Sequence, residues 1–123
     1  MKILITATRP ELEAQVDPRF GRAAFFIVLD TETMKWRAHS NAGIAANGGA
    51  GAQAAQFAAN HGVEAVVSGD FGPNAYLALE AAGIKMRLLG ESRTVWDAIS
   101  RFTSGTLLEV RAPTSAGRHG GGH

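Results

Sequence analysis

A chain of 123 residues, 46% of them hydrophobic, is long enough for one self-supporting domain. Its net charge of +1 argues against a dedicated nucleic-acid binder, and the lack of cysteine removes disulfides, thiolate nucleophiles, zinc knuckles and cysteine-ligated iron–sulfur clusters. Any metal must be held by histidine, carboxylate or backbone, or arrive with ligands of its own.

The chain opens with Ile3, Leu4 and Ile5, a buried-strand pattern over Lys2 to Thr8. Arg9 to Phe20 is a polar loop with Pro10 and Pro18, long enough to be functional or mobile. Ala24 to Asp30 is apolar on both faces and reads as a central strand. Met34 to Ser40 alternates, with Met34, Trp36 and Ala38 on one face and a solvent-facing Lys35, Arg37 and His39 on the other. The three strands read as an antiparallel meander. An alanine-rich helix is expected from Ala50 to Asn60, stopped by Gly62. A strand over Val63 to Ser68 follows, then a helix opened by Pro73 and ended at Gly83. Ile84 to Leu88 reads as an edge strand. Thr94 with Asp97 resembles a capping box ahead of an amphipathic helix carrying Val95, Ile99 and Phe102.

Right-handed crossovers make the last two strands parallel. The expected fold is α/β: a ribonuclease-H-like, mixed five-stranded sheet of order 3-2-1-4-5 with three helices. The expected domain covers residues 1–106. Residues 107–123 form a Gly- and His-containing C-terminal extension, expected to be a disordered tail. The N-terminus is too short an apolar run for a signal peptide, and no stretch approaches the ~20 apolar residues of a membrane span. A cytoplasmic protein with no membrane or nucleic-acid partner is expected.

The chemistry centres on Ser40 to Gly51, a stretch without charge or bulk. Glycine lets its backbone adopt positive φ and approach a ligand, and the next helix points free N–H groups at the same place. Gly49-Ala50-Gly51-Ala52-Gln53-Ala54 fits the dinucleotide pattern G-x-G-x-x-A, but an antiparallel strand precedes it, so the βαβ context is missing. A two-metal nuclease needs converging carboxylates, and only Asp70 sits at a suitable strand end. Ser68, Asp70 and His61 are no triad, because His61 ends a helix and Ser68 lies at the other end of the following strand, about 20 Å away if extended. His119 and His123 form a weak candidate metal pair in the tail. Nine of the twelve basic residues are arginine, which suits oxyanion capture. Arg9, Arg19 and Arg22 are expected to form a cationic lid over the glycine loop. No group there looks like a nucleophile or general base, which points to binding without catalysis.

Three loops thus define the expected pocket at the switch point of the sheet. The first supplies Arg9, Arg19, Phe20, Gly21 and Arg22. The second supplies Asn41, Asn47, Gly48, Gly49 and Gly51. The third supplies Gly69, Asp70, Gly72, Pro73 and Asn74.

Val16-Asp17-Pro18-Arg19-Phe20-Gly21-Arg22-Ala23, Asn41, Gly48-Gly49-Ala50-Gly51, Gly69 to Pro73 and Ala82-Gly83-Ile84 together resemble the nitrogenase iron–molybdenum cofactor biosynthesis family. The resemblance runs from Lys2 to Gly105. Asp30 to Met34 and Gly72 to Ala75 look most like its orange-protein branch. The resemblance implies the ribonuclease-H-like fold and a non-enzymatic, non-covalent carrier of an anionic metal–sulfide cluster. In the orange-protein branch that cluster is a molybdenum–copper sulfide. The alternatives are a carrier of the nitrogenase iron–molybdenum sulfide cofactor or its precursor, and a nucleotide or small-anion sensing or protein-interaction module. The resemblance also implies P-loop ATPases of a cell-division-related complex as partners.

Overall fold

Strand β1 (Lys2–Ala7) forms the middle of a five-stranded sheet, in a computed structural model that describes residues 1–45 and 49–115. Its Ile3, Leu4 and Ile5 are fully buried, because layers of apolar side chains cover both faces of the sheet. β2 (Phe25–Asp30) pairs antiparallel with β1, and β3 (Trp36–Ser40) pairs antiparallel with β2. β4 (Ala65–Ser68) and β5 (Lys85–Leu88) extend the other side of β1 in parallel, giving the expected order β3-β2-β1-β4-β5.

Helices α1 (Ala50–Asn60) and α2 (Pro73–Ala81) share one face of the sheet, over Leu4, Phe26 and Val66. Alanines 54, 55 and 58 of α1 are buried, so that helix lies close to the strands. Helix α3 (Val95–Thr103) covers the other face with Val95, Ala98 and Ile99 against Ile3, Ile5 and Val67. Its capping box is formed: Thr94 Oγ1 accepts from the Asp97 amide, and Asp97 accepts from the Thr94 amide. That reciprocal pairing satisfies helix-end donors that would otherwise lack partners.

Four expectations need correction. β3 begins at Trp36, because Met34 turns the chain with a left-handed φ of 62° while Asp30 Oδ1 accepts from the amides of Glu32 and Thr33. His39 is half-buried and not fully solvent-facing, since α1 overhangs that side of β3 and sets His39 against Phe57 and His61. The loop from Arg9 to Phe20 is pinned on two sides. Asp17 donates its amide to the Thr6 carbonyl, Val16 to Arg93, and Val95 and Trp96 donate to Ala14 and Leu12. It is a fixed wall, not a lid.

The chain also does not leave the domain at residue 106. Leu107 and Val110 are buried, Leu88 donates to the Leu108 carbonyl and Val110 donates to the Met86 carbonyl. Residues 107–110 therefore cover the outer edge of β5, supplying partners that an edge strand would otherwise lack. The segment expected as tail packs as far as Ser115, and its remainder lies outside the described residues.

Candidate functional site

The C-terminal ends of β1 and β4 meet at two buried hydroxyls, Thr6 and Ser68, whose oxygens lie 2.9 Å apart. Thr6 Oγ1 also donates to the Asp17 carbonyl and so anchors the first loop to the sheet. Ser68 is thereby committed to structure. His61, at the far end of α1, stacks on Phe57, so the three residues of the imagined triad are not brought together.

Beyond Asp17 the first loop runs alongside the third. Gly69 donates to the Pro18 carbonyl at 3.1 Å, and Arg19 and Asp70 form a parallel bridge. Gly21 then lies directly on the start of α1, where a Cβ would stand 2.8 Å from the Gly51 nitrogen. Gly51 in turn abuts α2, where its own Cβ would meet that of Ala75 at 3.0 Å. Three backbones stack here because their residues lack side-chain bulk. Gly49 has a different reason to be glycine: its φ is 73°, with open space around it.

These loops enclose a cleft of about 420 Å³. Arg19, Gly21 and Arg22 form one wall, Gly49 and Gly51 a second, and Asp70, Gly72, Pro73 and Asn74 a third. The N-termini of both α1 and α2 open onto it. Neither N-cap, Gly49 or Gly72, supplies a side-chain cap. Amide donors and two positive helix ends therefore face one space.

The other expected residues lie elsewhere or act indirectly. Phe20 borders the cleft, but its ring is 1% exposed and packs against Phe26 and Phe71, so the ring itself belongs to the core. Asn41 is buried, donating from Nδ2 to the carbonyls of Gly21 and Ala23 and accepting from the Gly43 amide. It staples the first wall to the second and does not line the cleft. Gly69 serves the close approach to Pro18. Arg9 pairs with Glu11 at 3.0 Å on the surface and is not part of this wall. Asn47, Gly48, His119 and His123 lie outside the described residues.

Two residues not expected from the sequence shape the site. Asp17 is 3% exposed; its Oδ1 accepts from the amide and Nε of Arg19, and its Oδ2 from the guanidinium Nη2. Asp-Pro-Arg is a spacing at which an aspartate accepts from the amide two residues on, so the signal was in the chain. Thr114 donates to Asp70 Oδ1 at 2.7 Å and accepts from the Phe71 amide at 2.7 Å, which holds the third loop from outside. Asp17 balances much of the charge of Arg19, and the two helix ends add positive potential of their own toward an anion. No group of three or more His, Cys, Asp or Glu able to hold a metal ion occurs among the described residues. The donor set fits an anion that brings its own ligands and does not fit a bare cation.

Residues 1–105 match the family model described as dinitrogenase iron-molybdenum cofactor. The chain belongs to this family. Among solved structures, it is similar to the apo form of the orange protein from Desulfovibrio gigas, with 42% identity and a TM-score of 0.89, over 93% of this chain and 96% of that one. It is also similar to a putative NifB protein from Thermotoga, with 34% identity and a TM-score of 0.82, over 94% of this chain and 98% of that one. A comparison with curated proteins found no match. The family match spans all three walls of the cleft. No helix among the described residues is long and apolar enough to cross a membrane.

Proposed function

We propose that this chain is a non-enzymatic carrier of an anionic molybdenum-containing metal–sulfide cluster, held without covalent bonds in the cleft between Arg19 to Arg22, Gly49 to Gly51 and Asp70 to Asn74. The observation that carries the reading is the convergence of two uncapped helix N-termini and an arginine-bearing loop on one space. A cluster whose metals are already ligated by sulfide needs only N–H donors and positive potential from the protein. Membership of the cofactor family and 42% identity to the orange protein support the cargo class. Within that class we favour a molybdenum–copper sulfide, on the higher identity to the orange protein, with the iron–molybdenum cofactor as the second reading.

Purification after exposure to molybdate, copper and sulfide tests the first reading. The expected product is coloured, with molybdenum and copper in fixed ratio to the chain. A colourless, metal-free product refutes it, and uptake of iron–molybdenum cofactor alone selects the second. The ATPase partnership implied by resemblance rests on no feature of the cleft, and co-purification from native cells tests it.

A further inference from the structure

A second basin lies at the opposite end of α1 from the cleft, about 16 Å away for an 11-residue helix at ~1.5 Å per residue. Its volume is about 580 Å³, and its walls include Lys2, Lys35, Trp36, Arg37, His39 and His61. His61 follows the last turn of α1, where the helix dipole favours a positive charge. Its Nδ1 lies 2.9 Å from the Phe57 carbonyl, which leaves Nε2 for another partner. The His39 ring stands edge-on to it, with centroids 4.8 Å apart.

The charges of this basin are not balanced from within. Lys35 and Arg37 make no ion pair or hydrogen bond through their side chains among the described residues, and Lys2 acts on Asp30 only at a distance. The acid on the wall, Asp30, is already engaged by the amides of Glu32 and Thr33 and by the N-terminal ammonium at 3.9 Å. Three permanent cations and two imidazoles therefore surround a space with one committed carboxylate. A bare transition-metal cation is disfavoured by the lysines and arginine. A multiply charged oxyanion matches both the charge and the N–H donors.

We infer that this basin binds a phosphate group, either as the free anion or as part of a nucleotide. Arg37 and Lys35 from β3 and Lys2 from β1 supply the fixed charge. His39 and His61 add ring nitrogens to the same wall, with Asp30 of β2 as the acid facing them. Neither the cleft nor its cargo takes part.

NMR titration of the full chain tests this, with inorganic phosphate in one arm and AMP in the other. The ring signals of His39 and His61 are expected to move saturably, while the Gly51 amide stays put. Tighter binding of AMP than of phosphate identifies a nucleotide site, and equal binding identifies a free-anion site. The double variant Lys35→Ala/Arg37→Ala should weaken binding about fivefold, at an unchanged melting temperature. The inference is overturned by no saturable shift in either arm, by equal affinity in the double variant, or by shifts that appear at Gly51 instead.

Discussion

Asp17 and Arg19 are bound to each other three times over: the buried carboxylate takes the arginine's backbone amide at 3.0 Å, its Nε at 3.3 Å and its Nη2 at 3.4 Å. The guanidinium itself stays 62% exposed. The carboxylate thus fixes where the arginine leaves the backbone, without drawing the head group into the core. A surface ion pair of this kind contributes little stability by itself. The bond to the backbone amide, in a part-buried turn, contributes more.

Asp17→Ala should therefore destabilise the fold. The Arg19 amide loses its acceptor in a part-buried turn, which costs about 0.5–1.5 kcal/mol. Urea unfolding should show a lower midpoint at constant slope. Asp17→Asn, which keeps one acceptor oxygen, should recover most of the loss. Equal losses in both variants would show that the charge, and not the turn, matters.

Arg19→Ala/Arg22→Ala should leave the melting temperature nearly unchanged and reduce cluster retention. Charge-assisted hydrogen bonds contribute about 1.5–3 kcal/mol, so retention should fall about tenfold or more. Metal content per chain after gel filtration is the readout. Unchanged content would mean that backbone amides alone form the cradle, or that it lies elsewhere.

Two glycines of the cleft should fail differently when a methyl group is added. Gly21→Ala sets its Cβ 2.8 Å from the Gly51 nitrogen, and backbone cannot move aside as a flexible side chain does. Overpacking there should cost about 1–3 kcal/mol and push α1 off the first loop. Gly49→Ala meets no atom within 4 Å, but its φ of 73° costs an L-residue about 1–2 kcal/mol. Gly49→Asn, which tolerates the left-handed region, should restore stability, whereas no larger residue at position 21 should. Chemical denaturation of the three variants separates the two mechanisms.

His39 gives the stability a defined pH dependence. Burial against α1 lowers its pKa first, and repulsion from His61 and Arg37 lowers it further. The unfolded chain then binds more protons than the folded one between the folded value and about 6.5. Stability should therefore be full above about pH 6.5 and fall as pH drops through that window. Urea midpoints across the range in the native chain and in His39→Phe, which keeps an aromatic ring, provide the check. The variant should lose part of the slope, and an identical slope would assign the effect to other groups.

Much of this fold was legible because it depends on patterns that repeat. Consecutive Ile3, Leu4 and Ile5 announce a strand covered on both faces, and Gly62 and Gly83 mark the helix ends with left-handed turns. The right-handed crossover rule then leaves one sheet order. The packed segment at 107–110 was not legible, because two apolar residues, Leu107 and Val110, anchor it within a stretch of turn-forming composition. Nor was the side of β3 that α1 covers. Lys35, Arg37 and His39 read as a solvent face, while α1 reaches only far enough to shelter the histidine. In the cleft, the wall residues were visible as motif. The roles of Asn41 and Phe20 were not, since one staples backbone and the other fills the core.

The parallel bridge between Arg19 and Asp70 joins segments far apart along the chain, and Thr114 closes the same corner from a third. Such non-local pairings form late, since loop closure must precede the contacts that reward it. No growing chain on a ribosome has a finished cleft until α2 and the segment through Thr114 have emerged. For a carrier of the proposed kind, loading is thus a post-translational event. Its timing is set by completion of the fold, and cargo met during synthesis finds no place to sit.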